Sequence, residues 1–311
     1  MESKESSQMP TEGGYKQYIH TIRNAYFNGG VPLSPDCFPP ASVFELTPAK
    51  CIAACYPFIK RRASGVISSD QSAILDEFEM VSFYFHNKKI LFPIINKEGR
   101  EWYSNANILT YDFISQSFIG MHENAKVIYD IGGHQGVWTL YYAGAVGPNG
   151  RVYMFEPSII NIECAALACF ANGIENVTIS GIGIADAAMT LSPYEEGLKV
   201  AGISHKMNLL PLSQVIWHKP DFIKIDIEGY EYDLVKSTPH IFDMADKIHL
   251  ELHIPFMQAR GLDYREIYKM IPFDRLRVRT AHYGLFRDIG PEEELDGFCP
   301  VMLTRPDTNS A

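Results

Sequence analysis

Val127-Ile-Tyr-Asp-Ile-Gly-Gly-His-Gln-Gly136 is the stretch on which the fold turns. Its first half is a short apolar run carrying Asp130, the pattern of a buried strand in a parallel sheet. Its second half is rich in glycine and runs directly into Val137-Trp-Thr-Leu-Tyr-Tyr-Ala-Gly-Ala145, apolar enough for a packed helix. Strand, tight turn and helix in that order aim a helix N-terminus, with its free N–H groups, at whatever lies over the turn. Glycines suit such a turn because the backbone bends sharply and a ligand can approach without meeting a Cβ.

The spacing separates the ligands that use this device. Dinucleotide turns read Gly-x-Gly-x-x-Gly. Here the glycines stand at 132, 133 and 136, with Asp130 two residues ahead, in the Asp-x-Gly-x-x-x-Gly form used for S-adenosylmethionine. The competing reading is a tight strand–helix turn with no ligand. Twenty residues on, Glu156 ends the next apolar run, Arg151-Val-Tyr-Met-Phe155. A carboxylate there can accept hydrogen bonds from both hydroxyls of a ribose, or cap the helix that follows. NAD enzymes place a carboxylate in the same way, so Glu156 points to a ribose and the glycine spacing to its owner.

Outward from this centre, the chain alternates strands with helices. Gly147-Pro-Asn-Gly150 is a turn, Ile160 to Asn172 a helix closed by Gly173, and Asn176-Val-Thr-Ile-Ser180 a third strand. Such alternation predicts a doubly wound, mostly parallel α/β sheet with its ligand off the carboxyl ends of the strands. Ahead of it, helices are expected over Tyr15–Asn28, Pro48–Arg62, Ser68–Glu77 and Ile108–Met121. Two short strands are expected on either side of a turn at His86–Lys89. The domain plan is a disordered tail over 1–14, an N-terminal helical/β cap or lid over 15–120, a cofactor-binding catalytic domain over 121–305 and a tail over 306–311.

Composition bounds the partners. A chain of 311 residues with 46% hydrophobic and 21% charged residues suits a globular protein. Its formal net charge of −10 argues against a broad nucleic-acid footprint. Lys60-Arg61-Arg62 and Arg275/Arg277/Arg279 read as solvated faces. The six cysteines (37, 51, 55, 164, 169 and 299) have neither zinc spacing nor the density of a disulfide framework, and are expected to be reduced. No apolar leader or membrane-length run is evident, so the expectation is a soluble cytoplasmic protein with no membrane partner.

A second polar cluster lies in Asp221-Phe-Ile-Lys-Ile-Asp-Ile-Glu-Gly-Tyr-Glu231. Alternation puts Ile223, Ile225 and Ile227 on one face and Lys224, Asp226 and Glu228 on the other. A later run does the same with Ile248, Leu250 and Leu252 against His249, Glu251 and His253. Central strands of such sheets are usually apolar on both faces, so paired polar faces indicate a site.

Taken together, Asp130-x-Gly-Gly-x-x-Gly136, Phe155-Glu-Pro157, Lys224-Ile-Asp-Ile-Glu-Gly229 with Glu231, and Glu251-Leu-His253 resemble the FkbM-type methyltransferases, a branch of the class I S-adenosylmethionine-dependent enzymes. The resemblance spans roughly residues 80–304. It implies a seven-stranded, mostly parallel sheet with an antiparallel last strand, its terminal hairpin from Leu276–Phe286 and Phe298–Thr304. It also implies a cofactor site of Asp130, Gly132, Gly133, His134, Gly136, Glu156 and Pro157, with Gly183, Ile184 and Asp186 walling the adenine. Lys224, Asp226 and His253 would face the methyl group and a small-molecule acceptor, a hydroxyl of a sugar or secondary metabolite. Gly133 and His134 depart from the family's usual Ala-Asn pair.

An alcohol acceptor must lose its proton. Asp226 and His253 are the candidate bases, with Lys224 as orienter. No metal is expected. The alternative is a magnesium-assisted route on Asp226, Glu228, Glu251 and His253, ranked second because Lys224 adds positive charge to that face. A nicotinamide-dependent oxidoreductase and a non-catalytic cofactor-binding protein are the readings from other classes.

Overall fold

In the computed structural model, residues 74–85, 88–103, 121–186, 189–191, 207–216, 218–282 and 285–306 are described. The helices expected over Tyr15–Asn28 and Pro48–Arg62, residues 108–120 of the fourth expected helix, and the Lys60-Arg61-Arg62 cluster lie outside them. Met121, where that helix was expected to end, stands in a turn.

The central sheet has eight strands. Five are parallel: β5 (Val177–Ser180), β4 (Arg151–Phe155), β3 (Val127–Ile131), β9 (Phe222–Ile225) and β10 (Lys247–His253), side by side in that order. β13 (Phe298–Thr304) follows, antiparallel to β10, with β11 (Arg277–His282) and β12 (Leu285–Asp288) beyond it. The antiparallel last strand is as expected. The count is eight rather than seven because the expected terminal hairpin contains a strand of its own, β12, which pairs only with β11.

The apolar residues of the parallel core pack two separate clusters, one on each face of the sheet, and the first face is interrupted by Asp130, Lys224, His249, Glu251 and His253. On one side Ile128, Val152, Met154, Val177 and Phe222 meet helices α2 (Val137–Val146) and α3 (Ile159–Ala171). On the other, Tyr129, Ile131, Tyr153, Phe155, Ile223 and Ile225 meet α4 (Glu231–Ser237), α5 (Ile241–Met244), α6 (Ile254–Ala259) and α7 (Arg265–Tyr268). Cys164, Cys169 and Cys299 are buried free thiols.

The first cluster is completed by an antiparallel hairpin, β1 (Ile74–Phe85) and β2 (Lys88–Asn96). Ile90, Phe92, Ile94 and Ile95 of β2 belong to the same core as α2 and α3, so this part of the N-terminal region is built into the sheet's cover. Of the helix expected over Ser68–Glu77, residues 68–73 lie outside the described residues and Ile74–Glu77 open β1 instead, with Ile74 paired to Asn96. Hairpin and sheet are joined by α1 (Lys97–Tyr103), which the sequence reading missed. A second small sheet, β6 (Gly183–Ala185), β8 (Met207–Pro211) and β7 (Met189–Leu191), also went unforeseen. No helix among the described residues is long and apolar enough to cross a membrane.

Candidate functional site

The polar cluster is set by strand register. Asp130 on β3, Lys224 on β9 and His249 on β10 lie directly abreast, and all three are buried. A charge so placed must be neutralised within the fold. Lys224 Nζ stands 3.3 Å from Asp130 Oδ1 and 3.2 Å from Asp226 Oδ2, and donates to Gly132 O at 3.1 Å. Asp130 Oδ2 accepts the Thr139 hydroxyl of α2 at 2.6 Å. Asp130 therefore acts from inside, tying the glycine turn to the second polar strand, and its carboxylate is fully buried. Burial works against the Lys224 charge, but Asp226 and Asp130 outweigh it and hold its pKa above the usual lysine value.

The glycine turn closes on β4 and β9. Gly132 and Gly133 N–H both donate to Phe155 O, and Asp226 N–H donates to Ile131 O at 3.0 Å. Gly132, with φ of +78°, has no room for a side chain: a Cβ would sit 1.7 Å from the Asp226 carbonyl. This corrects the expectation that its glycine clears space for a ligand. The space is filled by the neighbouring strand end, and the absent Cβ lets turn and strand touch. Gly136 begins α2 at φ +88° against Ala165, and Gly133 lies against Met154.

His134 points its ring away from the turn, to α1. Its Nδ1 is 2.5 Å from the Tyr103 hydroxyl and its Nε2 3.3 Å from Glu98. Burial lowers the His134 pKa, but Glu98, with Glu156 and Asp226, outweighs it and raises it overall. Its backbone N–H meets Glu156 Oε2 at 2.9 Å. Glu156 Oε1 accepts from Ser158 N–H at 2.8 Å and from Asn161 Nδ2 at 3.3 Å, which is the helix-capping role foreseen as the alternative. Burial raises the Glu156 pKa. Beside it, Ser180 Oγ and Asn161 Oδ1 are buried with no hydrogen-bond partner among the described residues. A buried acceptor flanked by two unsatisfied polar atoms fits the hydroxyl-rich end of a nucleoside.

Beyond β5, Gly183 lies against Leu209 and Pro157, Ile184 is packed in the core and Asp186 is exposed. Gly183 and Ile184 thus belong to β6.

At the ends of β9 and β10 the remaining polar groups converge on His253. Glu231, fully buried at the start of α4, accepts the N–H groups of Ile227 (3.0 Å) and Gly229 (3.0 Å) and lies 2.9 Å from His253 Nδ1. The other ring nitrogen faces Asp226 Oδ1 at 3.6 Å and Glu228 Oε2 at 3.5 Å. Glu228 and Gly229 both have positive φ, a turn that folds the Glu228 carboxylate back over the strand end. Phe256 stacks on the imidazole and Phe298 meets its edge. Burial lowers the His253 pKa, yet Glu231, Asp226 and Glu228 carry it up to about 10. Burial raises Asp226, while Lys224 and His253 bring it below the usual carboxylate value. Glu251 is pushed up to about 8, chiefly by burial. It lies outside the group of carboxylates and imidazole that converge, so the metal-assisted alternative reduces to Asp226, Glu228 and His253.

All three expected acceptor-side residues, Lys224, Asp226 and His253, are thus brought together. The roles of Glu231, Thr139, Glu98 and Tyr103 were missed. Glu231 was within reach, standing in the quoted motif three residues after Glu228.

A parallel core of this strand order, closed by an antiparallel strand and with its polar cluster over a glycine turn, is a Rossmann-like α/β architecture. Residues 130–271 match the family model described as Methyltransferase FkbM domain. Among solved structures it is similar to the methyltransferase FkbM from Methylobacillus flagellatus KT, at 15% identity and a TM-score of 0.42, covering 81% of this chain and 59% of that one. The chain therefore spans about three fifths of that protein's length. It is also similar to a putative rRNA methylase from Clostridium thermocellum (11% identity, TM-score 0.40, 65% of this chain and 98% of that one). A third is a SAM-dependent O-methyltransferase from Thermotoga maritima (14% identity, TM-score 0.38, 73% and 77%). No curated protein matches.

Proposed function

We propose that the chain transfers a methyl group from S-adenosylmethionine to a hydroxyl oxygen of a small molecule, a sugar or a secondary metabolite. The observation that carries this reading is the bond from Lys224 Nζ to Gly132 O at 3.1 Å, which joins the acceptor-side cluster to the cofactor turn. Glu156, with Ser180 and Asn161 beside it, would hold the ribose. The N-terminus of α2 would lie over the turn, with Gly133, His134 and Gly136 supplying backbone. Gly183, Ile184, Asp186 and Pro157 would border the adenine.

In the transfer, a lone pair of the acceptor oxygen forms the O–C bond as the C–S bond breaks. The bonding pair goes to sulfur, leaving the neutral thioether. The oxygen becomes a strong acid as the bond forms, so a carboxylate of low basicity can take its proton late. Asp226 suits that role because it keeps its charge and is the more exposed of the two candidate bases. Lys224 fixes one Asp226 oxygen and His253 faces the other. Much of the rate comes from holding the acceptor in line. A small-molecule acceptor agrees with the net charge of −10, and with Arg275 and Arg277 being occupied by Asp243 and Asp288.

The test is titration calorimetry of S-adenosylhomocysteine and NAD side by side, followed by an acceptor screen with isotope-labelled donor. Asp226→Asn should leave S-adenosylhomocysteine affinity within a few-fold while turnover falls roughly 10²-fold or more, the usual scale for losing a base. Binding of NAD in place of S-adenosylhomocysteine would end the proposal.

A further inference from the structure

We infer that Asp226 Oδ1, Glu228 Oε2 and His253 Nε2 form a binding site for one divalent transition-metal ion, of the Mn²⁺ or Zn²⁺ kind. The three residues offer ligand atoms that all lie within 4.8 Å of one another. The two approaches to Nε2, at 3.5 and 3.6 Å, are longer than N–H···O hydrogen bonds. They fit atoms sharing an ion: with ligand bonds of about 2.0–2.2 Å, neighbouring ligands stand about 2.8–3.6 Å apart.

The orientation of the imidazole is independent support. Glu231 is fully buried, outside the ligand set, and engages Nδ1 at 2.9 Å. Its oxygens already accept two backbone N–H groups, so it is fixed as an acceptor and Nδ1 as the protonated nitrogen. Nε2, on a ring only 5% exposed, is thereby aimed at the two carboxylates, at distances beyond hydrogen-bond range. A carboxylate behind a histidine whose far nitrogen faces open ligand positions is the outer arrangement of metal-binding imidazoles. One imidazole with two carboxylates favours a borderline cation over Mg²⁺ or Ca²⁺, which prefer all-oxygen sets.

Lys224 does not oppose this. Its ammonium is held by Asp130, the Gly132 carbonyl and the other oxygen of Asp226, on the inner side of that carboxylate. Asp226, Glu228, Glu231 and Asp130 together outnumber it in charge. Glu228 is largely exposed, leaving an entry path and open positions on the ion. With an ion bound, Asp226 would serve as a ligand rather than as the free base, and the ion would supply the acidification of the acceptor hydroxyl; that use rests on the methyl-transfer reading above. The site itself does not.

The experiment uses the full chain, its affinity tag removed, stripped with chelator and titrated calorimetrically with MnCl₂ and ZnCl₂, with MgCl₂ and CaCl₂ alongside. One ion per chain is expected, with Mn²⁺ or Zn²⁺ at least tenfold tighter than Mg²⁺ and Ca²⁺. Glu228→Gln, at an exposed position that should not affect folding, and His253→Gln should each weaken the binding at least tenfold. Absence of binding, or binding that Glu228→Gln leaves unchanged, overturns the site. S-adenosylhomocysteine is titrated separately in the metal-free protein. Metal binding without it keeps the cation site and refutes the methyl-transfer reading, and the converse result refutes only the site.

Discussion

Replacing Glu231 by alanine should cost the fold more than any other single polar change at the site. The carboxylate is fully buried and serves three donors: the N–H groups of Ile227 and Gly229 and the His253 Nδ1. Alanine leaves all three without an acceptor, at about 1–3 kcal/mol each for a buried unsatisfied group. The imidazole can shed its extra proton and the exposed turn at Glu228 can admit water, so the lower part of the range applies, about 3–6 kcal/mol in total. Domains of this kind have about 5–15 kcal/mol in all, which puts the alanine variant near the edge of folding. Glutamine should cost less than half as much, because its carbonyl can still serve Ile227 and His253 while its amide opposes one N–H. The assay is urea unfolding at fixed pH, reading the midpoint with the slope checked for constancy. An alanine variant within about 1 kcal/mol of wild type would mean that these donors find other partners, and a glutamine variant worse than alanine would refute the hydrogen-bond account.

Gly132→Ala should fail to yield folded protein, or melt far below wild type in circular dichroism, because its Cβ meets the Asp226 carbonyl at 1.7 Å with φ at +78°; a near-normal melt would refute the close packing of turn and strand. Glu156→Ala should weaken S-adenosylhomocysteine binding by roughly 10–100-fold in calorimetry through loss of charge-assisted hydrogen bonds. Unchanged affinity would leave it a helix cap alone. His249, with burial and then Lys224 lowering its pKa to about 3 against an opposing Asp226 and with His253 adding to the fall, is neutral in the fold and charged in the unfolded chain below 6.5. Stability should therefore be lost as pH falls from about 6.5 toward 3, by about 1.4 kcal/mol per pH unit from this residue. In His249→Gln the slope should be shallower by that amount, and equal slopes would show that His249 is not held neutral.

The parallel core was legible because its strands carry their signal locally. Val127–Ile131, Arg151–Phe155 and Val177–Ser180 are short apolar runs bounded by turns. Their burial on both faces removes any ambiguity of face. The missed elements have little local signal. Strands such as Gly183–Ala185 and Met189–Leu191 are three residues long and exist because Met207–Pro211 passes between them. α1 has no apolar stripe, but its start was readable: Asn96 accepts the Gly99 N–H at 2.8 Å, with Glu98 in the first turn, a cap written in the sequence.

The site was legible in its membership and not in its wiring. Alternation along Phe222–Ile225 and Lys247–His253 correctly separated the polar from the apolar faces. Alternation cannot say which oxygen of a carboxylate faces which neighbour, and here that decides the chemistry. Counted as a positive charge on the same face, Lys224 argues against a cation. Placed by register beside Asp130, it is consumed on the inner oxygen of Asp226, while the outer oxygen turns to His253. Glu231 is a further case: 22 residues before His253, it reaches the ring only because the left-handed pair Glu228-Gly229 starts α4 directly over the end of β10. A positive φ at a glutamate has no signature in composition or period, since glutamate is not a residue that favours it. The geometry that makes His253 a candidate metal ligand is therefore a product of tertiary packing, and the motif supplies only its parts.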